Sequence, residues 1–210
     1  MHRFFIPWFF LLLSCSFSRA EPSYRLNHQY FKAQNVAAQQ AIEIHYFFSF
    51  QCAGCGRLYP ILEPYFHENI NVPIFYHPLA SNQAGAQLIK AYEVLKQHEQ
   101  GQQYIRALYQ APATTRLSDK DVINIFKKEK HLNFEIWWEE IDEKPIQKKM
   151  GQDLKYAKNF HLRALPMVYI TGPQGAFYMH PSPDLPLDKI PGCIEAVISL
   201  QQEINRPNPK

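Results

Sequence analysis

The sequence predicts an α/β protein in which a mixed β-sheet is interrupted by an all-helical insertion. Three observations predict it. Two nearly continuous apolar runs, 41–50 (AIEIHYFFSF) and 71–77 (NVPIFYH), read as buried strands. From about 84 to 161 almost every window repeats its apolar residues at helical spacing. Strand character returns at 165–171 (LPMVYIT), and the turn chemistry of Gly172-Pro173-Gln174-Gly175 before the short run 176–179 marks a hairpin.

The first strand runs directly into Cys52-Ala53-Gly54-Cys55. Beyond it, 56–68 places Leu58, Ile61, Leu62, Tyr65 and Phe66 close to helical spacing, so the two cysteines fall at a strand-to-helix junction with Cys52 near the helix start. Pro60 and Pro64 lie inside that helix and are expected to bend it or free a backbone carbonyl. A strand or hairpin is expected around 24–31. The insertion should hold four or five helices, broken at Gly101, at Ala111-Pro112, around 116–118 and near Asn133. Ser118 with Asp121 three residues on is a helix start, and Asp119 adds charge that suits the N-terminal dipole. An amphipathic helix over about 187–204 precedes a proline-containing tail. The chain thus divides into a leader, 1–20; the first part of the sheet domain, 21–83; the helical insertion, 84–161; the second part of the sheet domain, 162–205; and the tail, 206–210.

With 210 residues, 46% of them hydrophobic and 14% aromatic, the chain can bury one substantial core. Its start has the layout of an export signal: His2 and Arg3, an apolar run from Phe4 to Leu13, and Ser18-Arg19-Ala20 as a small-x-small cleavage site that makes Glu21 the mature start. The run is too short to cross a bilayer core of roughly 30 Å as a helix. An alternative takes Leu12-Leu13-Ser14-Cys15 as a lipoprotein signal, with Cys15 acylated. Removing 1–20 takes Arg3 and Arg19 with it and lowers the formal net charge from +3 to +1, which excludes a nucleic-acid-binding footprint. The densest basic run, Lys127, Lys128 and Lys130, is interrupted by Glu129 and reads as a solvated helix face.

Once the leader is removed, Cys52, Cys55 and Cys193 remain. A scaffold stapled by disulfides needs more cysteines at wider spacing, so the close pair reads as a working group. Two cysteines separated by two residues at a helix N-terminus lie within bonding reach. The first also meets unpaired backbone N–H groups and the positive end of the helix dipole, which stabilise its thiolate. The thiolate is the attacking species in disulfide exchange and, when stabilised, the better leaving group. Cys52 is therefore the exposed nucleophile and Cys55 the buried resolving thiol. A structural zinc site would ask for four ligands and a second pair, which the sequence lacks, and nothing in it calls for a metal or another cofactor.

Taken together, Phe47-Phe48-Ser49-Phe50-Gln51-Cys52-Ala53-Gly54-Cys55, then Tyr76-His77, the helical insertion, and Leu162-Arg163-Ala164-Leu165-Pro166 before a strand resemble the DsbA family of periplasmic disulfide oxidoreductases. The resemblance runs from about Ala41 to Ile204. It implies a thioredoxin-like sheet with a helical insertion and a periplasmic location. It also implies a cis peptide bond at Leu165-Pro166, whose backbone would receive an extended substrate beside Cys52 by strand addition. The partners it implies are reduced, unfolded exported proteins and a membrane quinone-linked reoxidant of the DsbB type. Two positions depart from the family. Ala53-Gly54 stands where Pro-His is usual, so the Cys52 pKa should be less depressed and the couple less oxidising than in DsbA. Tyr46 stands where an acid often relays protons to the resolving thiol, leaving Tyr46, Glu43 or water to do so.

The remaining candidates read as structural. His45 and His77 are hydrogen-bonded strand histidines, His161 and His180 surface residues, and Phe134, Trp137 and Trp138 a core cluster in which one tryptophan must turn outward. Cys193 is a buried, inert thiol. Beside the oxidase reading stand an isomerase or reductase, a peptide-binding assembly factor with a vestigial dithiol, and a metal carrier. The oligomeric state is not legible in the sequence.

Overall fold

A computed structural model describes residues 23–34, 36–69, 71–129 and 131–203. The expectations placed on the leader, on Cys15 and on the tail lie outside these residues. Five strands form one sheet: β1 (Phe31–Lys32), β2 (Glu43–Phe48), β3 (Ile74–Pro78), β4 (Met167–Gly172) and β5 (Gly175–Met179), in the order β1-β5-β4-β2-β3. β2 pairs parallel with β3 and antiparallel with β4, and β4, β5 and β1 continue antiparallel. The sheet is mixed because β2 reaches β3 through a crossover helix whereas β4 reaches β5 through a two-residue turn. Gly175, at a φ of +94°, supplies that turn's left-handed residue. The expected N-terminal strand around 24–31 is confined to Phe31–Lys32, preceded by a single bridge between Leu26 and Tyr30.

Alternation along β2 separates two cores. Ile44, Tyr46 and Phe48 face α1 (Ala53–Asn69), α7 (Ile190–Gln202) and the insertion, in the main apolar cluster. Phe47 faces the other way, against Met167, Tyr169 and Phe160. The insertion lies between β3 and β4: α2 (Gln83–Gln97), a 3-10 segment over Glu99–Tyr104, α3 (Ile105–Leu108), α4 (Asp119–Phe126), α5 (Phe134–Glu140) and α6 (Glu143–Asn159). Ser118 and Asp121 form a reciprocal capping box at the start of α4, as their spacing predicts. Asn82 caps α2 by accepting from the Gly85 N–H at 2.9 Å. Trp138 is buried and Trp137 turns outward to stack on His98 with ring centroids 3.9 Å apart.

Two polar groups tie the layers together. Gln201 of α7 is fully buried; its amide donates to the Gly175 carbonyl and accepts from the Gln174 N–H, both at 2.8 Å, satisfying the β4–β5 turn. On the opposite face a linear network crosses from the sheet to α6. Glu43 Oε2 lies 3.5 Å from His45 Nε2, His45 Nδ1 lies 3.0 Å from His77 Nε2, and His77 Nδ1 lies 2.7 Å from Asp153 Oδ1. Lys149 closes it, donating to Asp153 at 2.6 Å and to the Tyr76 carbonyl at 3.2 Å. His45 and His77 are thus paired strand histidines, as expected. Burial first, then the neighbouring His77, lowers the His45 pKa to about 4. His161 is exposed, whereas His180 is half-buried against Phe31 because β1 covers that edge of the sheet.

Candidate active site: a dithiol beneath a cis-proline loop

α1 begins at Ala53, three residues earlier than the apolar spacing alone suggests, so the whole Cys52–Cys55 segment sits in its first turn. Cys52 occupies the position before the first helical residue, where backbone N–H groups have no helical acceptor. Its Sγ accepts from the Cys55 N–H at 3.2 Å. Hydrogen bonding from the Cys55 thiol, followed by the backbone N–H groups of Cys55 and Gly54 and the charge of Arg57, outweighs partial burial and lowers the Cys52 pKa to about 6. Cys55 is fully buried, and donating its proton to Cys52, with burial second, pushes its own pKa far up. The pair therefore carries one shared proton at neutral pH, with the negative charge on the half-exposed sulfur. Pro60 and Pro64 sit within α1 without ending it.

The Leu165–Pro166 peptide bond is cis. The Leu165 carbonyl lies 3.7 Å from Cys52 Sγ, and a Cβ placed on Gly54 would approach Pro166 Cδ to 3.2 Å and Cys52 Sγ to 3.8 Å. The small Ala53-Gly54 pair thus lets the proline loop close directly onto the dithiol. Cys52, Cys55, Gly54, Leu165 and Pro166 come together, with Ala53 at the exposed rim.

Two relay candidates separate. Tyr46 is 1% exposed in the core beneath the dithiol. Burial first, then Cys55 and Cys52, pushes its pKa well up, and its hydroxyl has no hydrogen-bond partner among the described residues. Glu43 is corrected: it lies at the far end of β2, about 16 Å of strand from Phe48 at roughly 3.3 Å per residue, and on the opposite face from Tyr46. It is engaged there by Gln39 and His45, so it does not serve the dithiol.

The insertion contributes what the sequence did not reveal. A cleft of about 920 Å³ opens beside Cys52, between the start of α1 and the segment 109–115 that follows α3. Tyr109 forms its floor, its ring 4.9 Å from Phe50 and packed on Gly56. Arg57 and Arg106 stand on its rim, and Gln51 Nε2 donates to the Thr114 carbonyl at 2.7 Å, tying the residue before Cys52 to the insertion. Only the sheet-to-insertion docking brings Arg106, Tyr109 and Thr114 to the dithiol, and no local pattern signals it. Cys193 is fully buried, with burial pushing its pKa up to about 12, far from the thiolate chemistry of Cys52.

No family model and no curated protein sequence matches the chain. Solved structures do. The oxidoreductase NmDsbA1 from N. meningitidis shares 12% identity at a TM-score of 0.63, over 86% of this chain and 95% of that one. The disulfide oxidoreductase DsbA from Proteus mirabilis shares 15% at 0.64, over 85% and 98%. The oxidoreductase NmDsbA3 from Neisseria meningitidis shares 13% at 0.65, over 87% and 100%. The chain therefore shares the fold of these DsbA structures, a mixed sheet carrying a helical insertion.

Proposed function

We propose that this chain is a thiol–disulfide oxidoreductase that donates a Cys52–Cys55 disulfide to reduced exported proteins. The observation that carries the reading is the half-exposed Cys52 sulfur, held as a thiolate at the start of α1 with the buried Cys55 behind it. A substrate thiolate attacks Cys52 Sγ of the disulfide, a mixed disulfide forms, and Cys55 leaves with the electron pair and takes up a proton. The substrate's second thiolate then attacks its own sulfur in the mixed disulfide, so the substrate disulfide forms and Cys52 departs as the stabilised thiolate. Two electrons pass from substrate to protein. The Leu165 backbone beside the cis bond receives the extended substrate chain, and Tyr46 stands where a proton could pass to Cys55 as a neutral hydroxyl.

Export by the 1–20 leader, into a periplasmic setting or onto a membrane through Cys15, and reoxidation by a quinone-linked membrane protein complete this reading. No helix among the described residues is long and apolar enough to cross a membrane. The test is direct: the oxidised wild type converts a dithiol peptide to its disulfide, and Cys52→Ser abolishes the conversion. An unchanged rate in that variant overturns the assignment. A second reading, reductase or isomerase, is favoured by one observation. The Cys52 pKa of about 6 lies nearer thioredoxin's nucleophile, about 7, than DsbA's, about 3.5. The potential against glutathione decides between them: a value near −270 mV indicates reduction, one well above it oxidation.

A further inference from the structure

Around the reactive sulfur the charge is one-sided. The cleft of about 920 Å³ beside Cys52 is lined by Arg57 and Arg106 and by neutral groups such as Gln51, Asn82, Thr114 and Tyr109, with no carboxylate among its lining residues. Both arginines are exposed, and neither forms an ion pair among the described residues. The acid nearest along α1, Glu63, is taken up by His67 and by the Tyr76 hydroxyl, each at 3.2 Å. Two guanidiniums that the fold leaves without counter-charges, flanking a concave site, hold ten N–H donors between them for an incoming carboxylate. The rest of the lining is uncharged: Gln51, Asn82, Thr114 and Thr115 offer amide and hydroxyl groups beside the apolar Phe50, Ala111 and Pro112, so no other side chain competes with the arginines for a carboxylate.

We propose that this cleft selects cysteine-containing segments whose neighbouring residues carry carboxylates, Arg57 and Arg106 being the specificity-determining residues. The inference rests on the oxidoreductase reading and names its substrate class. Acidic flanks would dock the substrate cysteine at Cys52, and the same two charges would draw its approaching thiolate inward. Basic flanks would meet two like charges at the mouth with no carboxylate in the lining to offset them.

The test uses short dithiol peptides identical except for the positions flanking the first cysteine, which are Glu, Gln or Lys. Each oxidation rate is divided by the rate with dithiothreitol, which is uncharged, so that any change in Cys52 ionisation cancels. Two exposed pairs of ordinary strength predict that the Glu peptide outruns the Gln peptide by about fivefold. In the double variant Arg57→Gln, Arg106→Gln the preference falls to parity, whereas Lys155→Gln, which removes a charge from the exposed face of α6, preserves it. Raising the salt from about 0.1 M to 1 M shortens the Debye length from roughly 10 to 3 Å and erodes the wild-type preference. Equal rates for the three peptides, or a preference that survives in the double variant, overturn the inference and leave the oxidoreductase reading intact. Peptides with both cysteines replaced by serine, measured by binding alone, separate the two ideas. Arginine-dependent binding of the Glu form without oxidation of any dithiol peptide upholds the selectivity and refutes the chemistry.

Discussion

Removing the Cys55 thiol tests how the charge on Cys52 is held. The first cause of the lowered Cys52 pKa is the hydrogen bond from Cys55, ahead of the backbone N–H groups of Cys55 and Gly54 and the more distant Arg57. At a pKa of about 6, roughly nine-tenths of Cys52 is thiolate at pH 7, against about one part in a hundred for a thiol ionising near 9. A hydrogen bond to a charged group contributes about 1.5–3 kcal/mol, which is about one to two pH units. Cys55→Ala should therefore move Cys52 to about 7–8, the remaining shift coming from the N–H groups. Its alkylation rate at pH 7 should fall about two- to tenfold, tempered because a more basic thiolate is a better nucleophile. Cys55→Ser keeps a donor and should stay close to the wild type. The thiolate absorbance near 240 nm, followed against pH, reads both midpoints. A wild-type midpoint near 9, or the same midpoint in wild type and Cys55→Ala, refutes the account. The thiolate's advantage at pH 7, about 1.4 kcal/mol for a shift from 9 to 6, makes the couple about 30 mV more oxidising than an unperturbed dithiol in the same frame.

Two further perturbations probe the core. His45 has a folded pKa of about 4, below its ordinary value of 6.5. Below pH 6.5 the unfolded chain therefore takes up a proton that the folded site, enclosed by Glu43, His77 and Asp153, refuses until about pH 4. Stability should be fully present above 6.5 and fall across that window by about 3 kcal/mol, read as denaturation midpoints against pH; a slope in that window unchanged in His45→Gln refutes it. Tyr46→Phe deletes a buried hydroxyl that has no hydrogen-bond partner among the described residues and should raise stability by about 1 kcal/mol. A lower melting temperature would mean that the hydroxyl is satisfied in solution.

Local rules carried the sequence reading as far as they reach. The strand-to-helix junction, the capping box at Ser118 and Asp121 and the burial of Cys193 all follow from patterns within a few residues. The misreadings arise where a residue's role depends on which face or which end of an element it occupies. Glu43 and Tyr46 are three residues apart, yet an odd spacing along a strand sends their side chains to opposite faces. Tyr109 and Arg106 escaped notice for a related reason. α3 and the segment after it meet the dithiol only when the insertion docks on the sheet, a contact between positions about 50 residues apart. The mutual pairing of His45 with His77 likewise follows from the parallel register, which places His45 opposite Phe75 and Phe47 opposite His77.

The dipeptide between the cysteines links electronic and steric control. With no histidine there, the thiolate is held first by the Cys55 thiol and then by the backbone N–H groups of Cys55 and Gly54. The same absence of a side chain at Gly54 lets Pro166 pack so closely that a Cβ would sit 3.2 Å from its Cδ. That separation is tighter than ordinary van der Waals contact, so any larger residue at 54 must push the proline loop away. A histidine introduced there would add a charge that favours the thiolate and would also press on Pro166, next to the Leu165 carbonyl that lies 3.7 Å from Cys52 Sγ. On the proposed function, the potential of the couple and the geometry of peptide capture are therefore linked, because the residue at position 54 touches both the thiolate and the proline loop.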